Sequence, residues 1–107
     1  MIPLDRYPEP ALFAGTVLVF RGEYPFDREA AQFMLCDYPA SGEGRCPFAL
    51  YCVWGYHSGS LEYVFPAEAL AEGVRGIDTK WLRENWKQKV CGGCGASDVS
   101  VRLWDEK

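Results

Sequence analysis

Segments of apolar and alternating residues along the chain predict five β-strands. Two glycines bound the first, and a proline follows the second. In the last, Val99, Val101 and Leu103 alternate with polar residues, a pattern typical of a half-buried strand. The expected strands are Thr16–Arg21, Phe33–Tyr38, Phe48–Trp54, Leu61–Phe65 and Ser97–Trp104.

Two helices are expected after the fourth strand. Pro66 suits the first position of a short helix running to about Ala71, because a proline there loses no hydrogen bond. A second helix is predicted over Lys80–Lys89, with Asp78 or Thr79 as its N-cap. Its apolar residues share one face, which should pack on the sheet: Trp81, Leu82 and Trp86.

These elements predict a single α+β domain over residues 1–107, with a mostly antiparallel sheet of about five strands and two helices packed on it. Residues 1–15 contain three prolines and a glycine, and we expect them to form an extended lead-in. At this length the chain can bury a core without a metal or a disulfide.

The charge balance narrows the class of partner. Fifteen acidic and eleven basic residues give a net charge of −4, which argues against nucleic acid and anionic membranes and favours a basic partner. The first residues, Met1–Arg6, lack the apolar run of a secretory leader, and no apolar stretch is long enough to span a bilayer. We therefore expect a cytoplasmic protein.

The most conspicuous chemical motif is Cys91-Gly92-Gly93-Cys94, which follows the second predicted helix. One CxxC pair is a weak zinc signal. A redox thiol is favoured at the start of a helix, where the dipole stabilises the thiolate, and not after its end. The motif is best interpreted as a glycine-rich connection. A small zinc-binding or thiol-redox module using Cys91 and Cys94 remains the alternative.

Other reactive centres find little support in the sequence. His57 is the only histidine, and a strand of about 30 Å separates it from Cys46. No phosphate-binding loop is present, and the paired carboxylates have the spacing of solvated surfaces. We expect no catalytic residue, no metal site and no cofactor.

Several segments together resemble a known family. The order and spacing of these segments are similar to those of the bacterial immunity protein family 45 of polymorphic toxin systems, over roughly residues 16–104. The segments are Leu35-Cys36-Asp37-Tyr38-Pro39, Cys46-Pro47-Phe48-Ala49-Leu50, Gly55-Tyr56 with Gly59, Pro66-Ala67-Glu68, Gly76-Ile77-Asp78, Trp81 and Asn85-Trp86.

The resemblance implies a non-enzymatic cytoplasmic protein, encoded beside a toxin, that binds and neutralises the cognate toxin domain of a secreted effector. The active or binding surface of the toxin would be occluded, and inhibition could act by plugging the active site or by an allosteric effect. The immunity protein would be a monomer or a small homo-oligomer. Interfaces of this kind bury about 1,200–2,000 Å².

Aromatic residues make up 15% of the chain, more than one small core needs, so some should lie on a surface. Trp54 and Tyr63 are most simply interpreted as core residues. For the partner-binding site we expect carboxylates that steer a basic toxin and aromatic residues that form a desolvated centre. The carboxylates are Asp37, Glu43 and Glu62, and the centre is Tyr51, Tyr56 and His57.

Overall fold

The fold is that of a computed structural model, which describes residues 1–21, 31–38, 45–54, 58–91 and 95–103. At residues 45 and 46 the description is limited to the backbone.

The described residues form a six-stranded, fully antiparallel sheet and a second sheet of two short strands. The order in the large sheet is β1-β8-β3-β4-β5-β6, and β2 pairs with β7 in the small one. The strands are β1 Ile2–Pro3, β2 Ala11–Leu12, β3 Val17–Phe20, β4 Ala31–Asp37, β5 Arg45–Cys52, β6 Leu61–Pro66, β7 Ile77–Asp78 and β8 Ser100–Arg102.

The hydrophobic core lies on one face of the large sheet. Cross-strand pairing places Val101, Leu18, Phe33 and Cys52 in one row across four strands, and all four are buried. Because partners in register point to the same side, these rows define an inner face. Alternate residues define an outer face that contributes nothing to the core cluster.

One α-helix covers the inner face. Helix α1, Thr79–Asn85, begins at Asp78, whose carboxylate accepts a hydrogen bond from the Lys80 amide at 3.0 Å. The chain continues as a π-helical segment, Trp86–Val90, which ends where the Cys91 amide donates to the Trp86 carbonyl at 2.9 Å. No helix in the described part of the chain is long and apolar enough to cross a membrane.

Trp86 is the largest side chain with no exposed surface, and it packs edge-on against Phe20 with 5.1 Å between ring centroids. Leu82 is also buried, and Trp81 is half-buried against the core. The predicted common face of these three residues is confirmed. Asn85 donates to the Trp81 carbonyl at 2.8 Å, which satisfies its amide within the helix.

The N-terminal segment is packed into the fold and paired with other strands, whereas the sequence predicts an extended lead-in. Strand β1 pairs with β8, a 3₁₀ turn over Leu4–Arg6 buries Leu4, and β2 pairs with β7. The Arg83 side chain donates to the Leu4 carbonyl at 3.2 Å and to the Tyr7 carbonyl at 3.1 Å. One guanidinium therefore ties this segment to helix α1.

The α+β class and the mostly antiparallel sheet are confirmed, but two element predictions are wrong. The sheet has six strands in the described residues because β1, only two residues long, adds to its edge. The helix expected to start at Pro66 is a single 3₁₀ turn over Ala67–Ala69. Leu70 then bridges Ile77 beside the small sheet, which extends the backbone and ends the turn.

The Arg83 contacts predict a measurable stability contribution. Replacing Arg83 with Met keeps the apolar stem but leaves the two carbonyls without this donor, so the free energy of unfolding should fall by about 1–3 kcal/mol. Urea denaturation measures the change, with Lys80→Met on the exposed side of the same helix as control. An equal effect of both substitutions would contradict the assignment.

Candidate functional site

Three large apolar side chains are exposed where strands β5 and β6 approach their connecting hairpin. Val53 is 37% exposed, Trp54 54% and Leu61 46%. The backbone below them is well paired, since the Val53 amide donates to the Gln32 carbonyl and the Cys52 amide to the Ser60 carbonyl, both at 2.9 Å. A supported backbone thus presents apolar surface to solvent.

Tyr51 joins this group through the sheet register. It pairs with Met34 on one side and Leu61 on the other, so its half-buried ring lies on the outer face in the same row. We use the term hairpin surface for five residues at this end of β5 and β6: Tyr51, Val53, Trp54, Leu61 and Glu62.

Glu62 supplies the carboxylate of the hairpin surface. The register changes between the pairs Leu50–Tyr63 and Tyr51–Leu61, so a β-bulge lies at this point of β6. The half-buried Glu62 carboxylate accepts a hydrogen bond from the Ser60 hydroxyl. An oriented carboxylate beside aromatic surface is suited to receive a cation.

At the other end of the outer face, around β8 and β3, polar side chains replace the exposed apolar ones. Arg102 on β8 donates to the Gln32 side chain on β4 at 2.7 Å, and β3 lies between these two strands. Val17, the register partner of Arg102, is only 3% exposed. The outer face thus has a polar half around Arg102 and an aromatic half at the hairpin surface.

Asp37 lies apart from the hairpin surface. In register it pairs with Phe48, which points into the core, at the far end of β4. Its carboxylate forms an ion pair with Arg75 at 3.1 Å, and the Arg75 guanidinium lies 5.5 Å from the centre of the Phe48 ring. The structure therefore brings Tyr51 and Glu62 together but places Asp37 on the inner side. Glu43, Tyr56 and His57 fall outside the described residues.

A second exposed apolar group lies beside the small sheet. Phe13 is 52% exposed, Leu70 41% and Val74 48%. Gly76 packs so tightly here that an added Cβ would lie 2.7 Å from the Leu12 carbonyl oxygen and 3.2 Å from the Phe13 ring. The backbone is paired here as well, since Leu70 bridges Ile77 and the Ala71 amide donates to the Gly76 carbonyl at 2.9 Å. The hairpin surface differs in carrying a tryptophan, a tyrosine and the Glu62 carboxylate.

The described thiols are embedded in the fold. Cys52 is buried, and Cys36 lies half-buried on the outer face. Burial raises the pKa of the Cys36 thiol, and the adjacent Asp37 carboxylate raises it further. Cys36 is accordingly a neutral thiol at pH 7.

Cys91 packs partly buried against the core at the end of the helical segment, and Cys94 lies outside the described residues. Within the described ranges, no three His, Cys, Asp or Glu side chains form a group that could hold a metal ion. Because that search does not reach Cys94, the zinc or thiol-redox alternative stays a prediction.

Comparison with known proteins assigns the family. The model of one protein family, described as Immunity protein 45, matches residues 4–101. The chain belongs to this family. The match includes the N-terminal segment from Leu4, whereas the resemblance noted from the sequence begins at about residue 16. Membership of the family gives the chain an immunity role in general. Comparisons with curated proteins and with solved structures gave no match.

Sequence reasoning missed Trp54 as a functional candidate of this immunity protein. A tryptophan at the end of an apolar strand favours a core position, and that interpretation is wrong, whereas Tyr63 does pack against the core. The sequence does contain one signal for exposure, because Trp54 directly precedes Gly55, a residue typical of turns. In the structure β5 ends at Cys52, two residues before Trp54. Val53 and Leu61 carry no comparable signal, because each continues the apolar pattern of its strand.

The two tryptophans should separate stability from surface function in this Immunity protein 45 member. Trp54→Ala removes an exposed side chain and should change the free energy of unfolding by less than about 0.5 kcal/mol. Trp86→Ala empties the centre of the core and should cost about 3–5 kcal/mol. Thermal or urea unfolding checks both values, and a large loss with Trp54→Ala would show that it is structural.

Proposed function

We propose that this chain binds and neutralises the cognate toxin domain of a secreted effector, with the hairpin surface as the centre of the contact. The observation that carries the proposal is Trp54, which is 54% exposed two residues beyond β5, at the same end of the sheet as Tyr51 and the oriented Glu62 carboxylate. The family supports an immunity role, and this surface suits protein recognition.

The side chains of the hairpin surface are those that contribute most to binding energy. Tryptophan and tyrosine combine a large, rigid apolar area with one polar group, and such residues dominate protein interfaces when partner atoms exclude water from them. Val53 and Leu61 surround them with further apolar area. We place Tyr56 and His57 in the same contact because in the sequence they stand between Trp54 and Ser58.

Electrostatics favours a basic face on the toxin. The chain carries a net charge of −4, and the one charged residue of the hairpin surface is Glu62. Charge of this kind accelerates association and orients the partner before close contact. We assign Asp37 and Glu43 to this steering role, although Asp37 is already paired with Arg75.

Neutralisation in this proposal is occlusion without catalysis. The immunity protein acts in the cytoplasm, covers a surface that the toxin needs, and requires no metal or cofactor. Coverage of about 800 Å² on each partner would be typical. The hairpin surface provides the centre of such an area, and the rest of the outer face provides its rim.

A growth assay tests the proposal. The neighbouring gene should encode a secreted effector with a variable C-terminal domain, and expression of that domain alone should stop growth. Co-expression of this chain should restore growth. Trp54→Ala and Glu62→Gln should each weaken the purified complex by over about 2 kcal/mol if they are hot spots, measured by calorimetry.

Val74→Ala in the second exposed apolar group is the matched control, since it removes apolar surface of similar exposure at another site. It should leave affinity unchanged. Failure of the wild-type chain to bind or to restore growth would refute the function. Normal binding by the Trp54 and Glu62 variants, with weaker binding by the control, would move the site to the small sheet.

A further inference from the structure

Strand β6 forms one edge of the large sheet. It is six residues long, and among the described residues its one strand neighbour is β5. The opposite edge is β1, which has only two residues. An edge strand presents backbone donors and acceptors that a strand from another protein can pair with.

Hydrogen bonds on both sides of β5 show which groups of β6 face outward. The Cys52 amide donates to Ser60, so the Cys52 backbone faces β6, whereas the Val53 amide donates to Gln32 on β4. By alternation the Ala49 backbone also faces β4. Val64 is the register partner of Ala49, so its amide and carbonyl point away from β5 to the edge.

Both ends of the edge are closed to simple extension. Pro66 follows Val64 by two residues, and the outward position it occupies has no amide hydrogen. At the other end, the β-bulge near Glu62 interrupts the regular ladder. These are features by which proteins limit self-association of edge strands, and they leave a short window centred on Val64.

The window is lined differently on its two sides. On the inner side the ring centroids of Tyr63 and Phe65 are 5.0 Å apart, and those of Phe65 and Trp81 are 6.0 Å apart. Lys89 forms an ion pair with Glu68, with 3.5 Å between Nζ and Oε1. On the outer side Glu62 adjoins Val64. Within β6 the single charge is this carboxylate, so a cationic side chain is the complementary neighbour.

We propose that β6 receives an extended, cation-bearing strand of the toxin, which becomes the seventh strand of the sheet and places its cation beside Glu62. This inference rests on the proposed function and specifies how the toxin is held. A second copy of the chain is a poorer occupant. Pairing of two β6 windows would bring two Glu62 carboxylates close together and supply no cation.

Amide hydrogen exchange of the immunity protein, alone and with the neighbouring effector's C-terminal domain, tests the proposal. In the free protein the Val64 amide should exchange rapidly and the Tyr63 amide, which faces β5, slowly. In the complex Val64 should gain protection on the order of 100-fold. A complex in which Val64 gains none would overturn the β6 proposal while leaving the proposed function standing.

A backbone variant gives the second readout. Val64→Pro removes the outward amide without removing a bond to β5, and it should weaken the complex by about tenfold or more. Val64→Thr keeps the amide and the β-branched shape, and should bind like wild type. Circular dichroism and unfolding would show that both variants fold.

The remaining outcomes discriminate clearly. Equal affinity of the proline and threonine variants overturns the proposal. Protection of Val64 that grows with protein concentration and without toxin, together with a dimer in light scattering, would assign the edge to a second copy and also overturn it. Absence of any complex with the wild-type chain refutes the proposed function itself.

Discussion

Burial of one face of the antiparallel sheet is the constraint on which the rest of this structure depends. Helix α1, the π-helical segment, the 3₁₀ turn at Leu4 and the small sheet all contribute side chains to the same core cluster. Trp86 lies at its centre with no exposed surface. The exposed apolar side chains at the hairpin end of the sheet, Val53, Trp54 and Leu61, lie outside this core cluster, and β6 is an edge strand among the described residues.

This one-sided arrangement is the reason that we propose binding on the side of the sheet away from the core. A residue facing the core is fixed by packing, and its replacement costs stability, whereas a residue facing outward is free to serve recognition. Tyr51 and Leu50 are adjacent on β5 yet have different environments, because Leu50 is fully buried and the half-buried Tyr51 lies on the outer face.

Sequence reasoning recovered the elements whose pattern repeats over several residues. Strands β3, β4, β5 and β6 and the apolar face of α1 follow from such patterns. Strands β1, β2 and β7 could not be predicted, because two residues carry no periodicity and their pairing depends on distant segments. The helix predicted to run from Pro66 to about Ala71 is shortened to one turn, because Leu70 pairs with Ile77 in an isolated β-bridge.

The candidate site was only partly predictable for the same reason. Tyr51 and Glu62 were expected on chemical grounds, and the β5–β6 register brings them together. Asp37 has suitable chemistry, but strand alternation turns it to the inner side, where Arg75 binds it. Trp54 was taken as core because composition does not reveal where a strand stops. The edge position of β6 depends on the strand order, which no local pattern encodes.

The central claim is tested by a crystal structure of this immunity protein bound to the toxin domain that we propose as its partner. We expect Trp54 and Leu61 to lie within the interface, a toxin strand to run beside β6, and Phe13 and Val74 to stay exposed. An interface centred on Phe13, Leu70 and Val74, with Trp54 still in solvent, would contradict it.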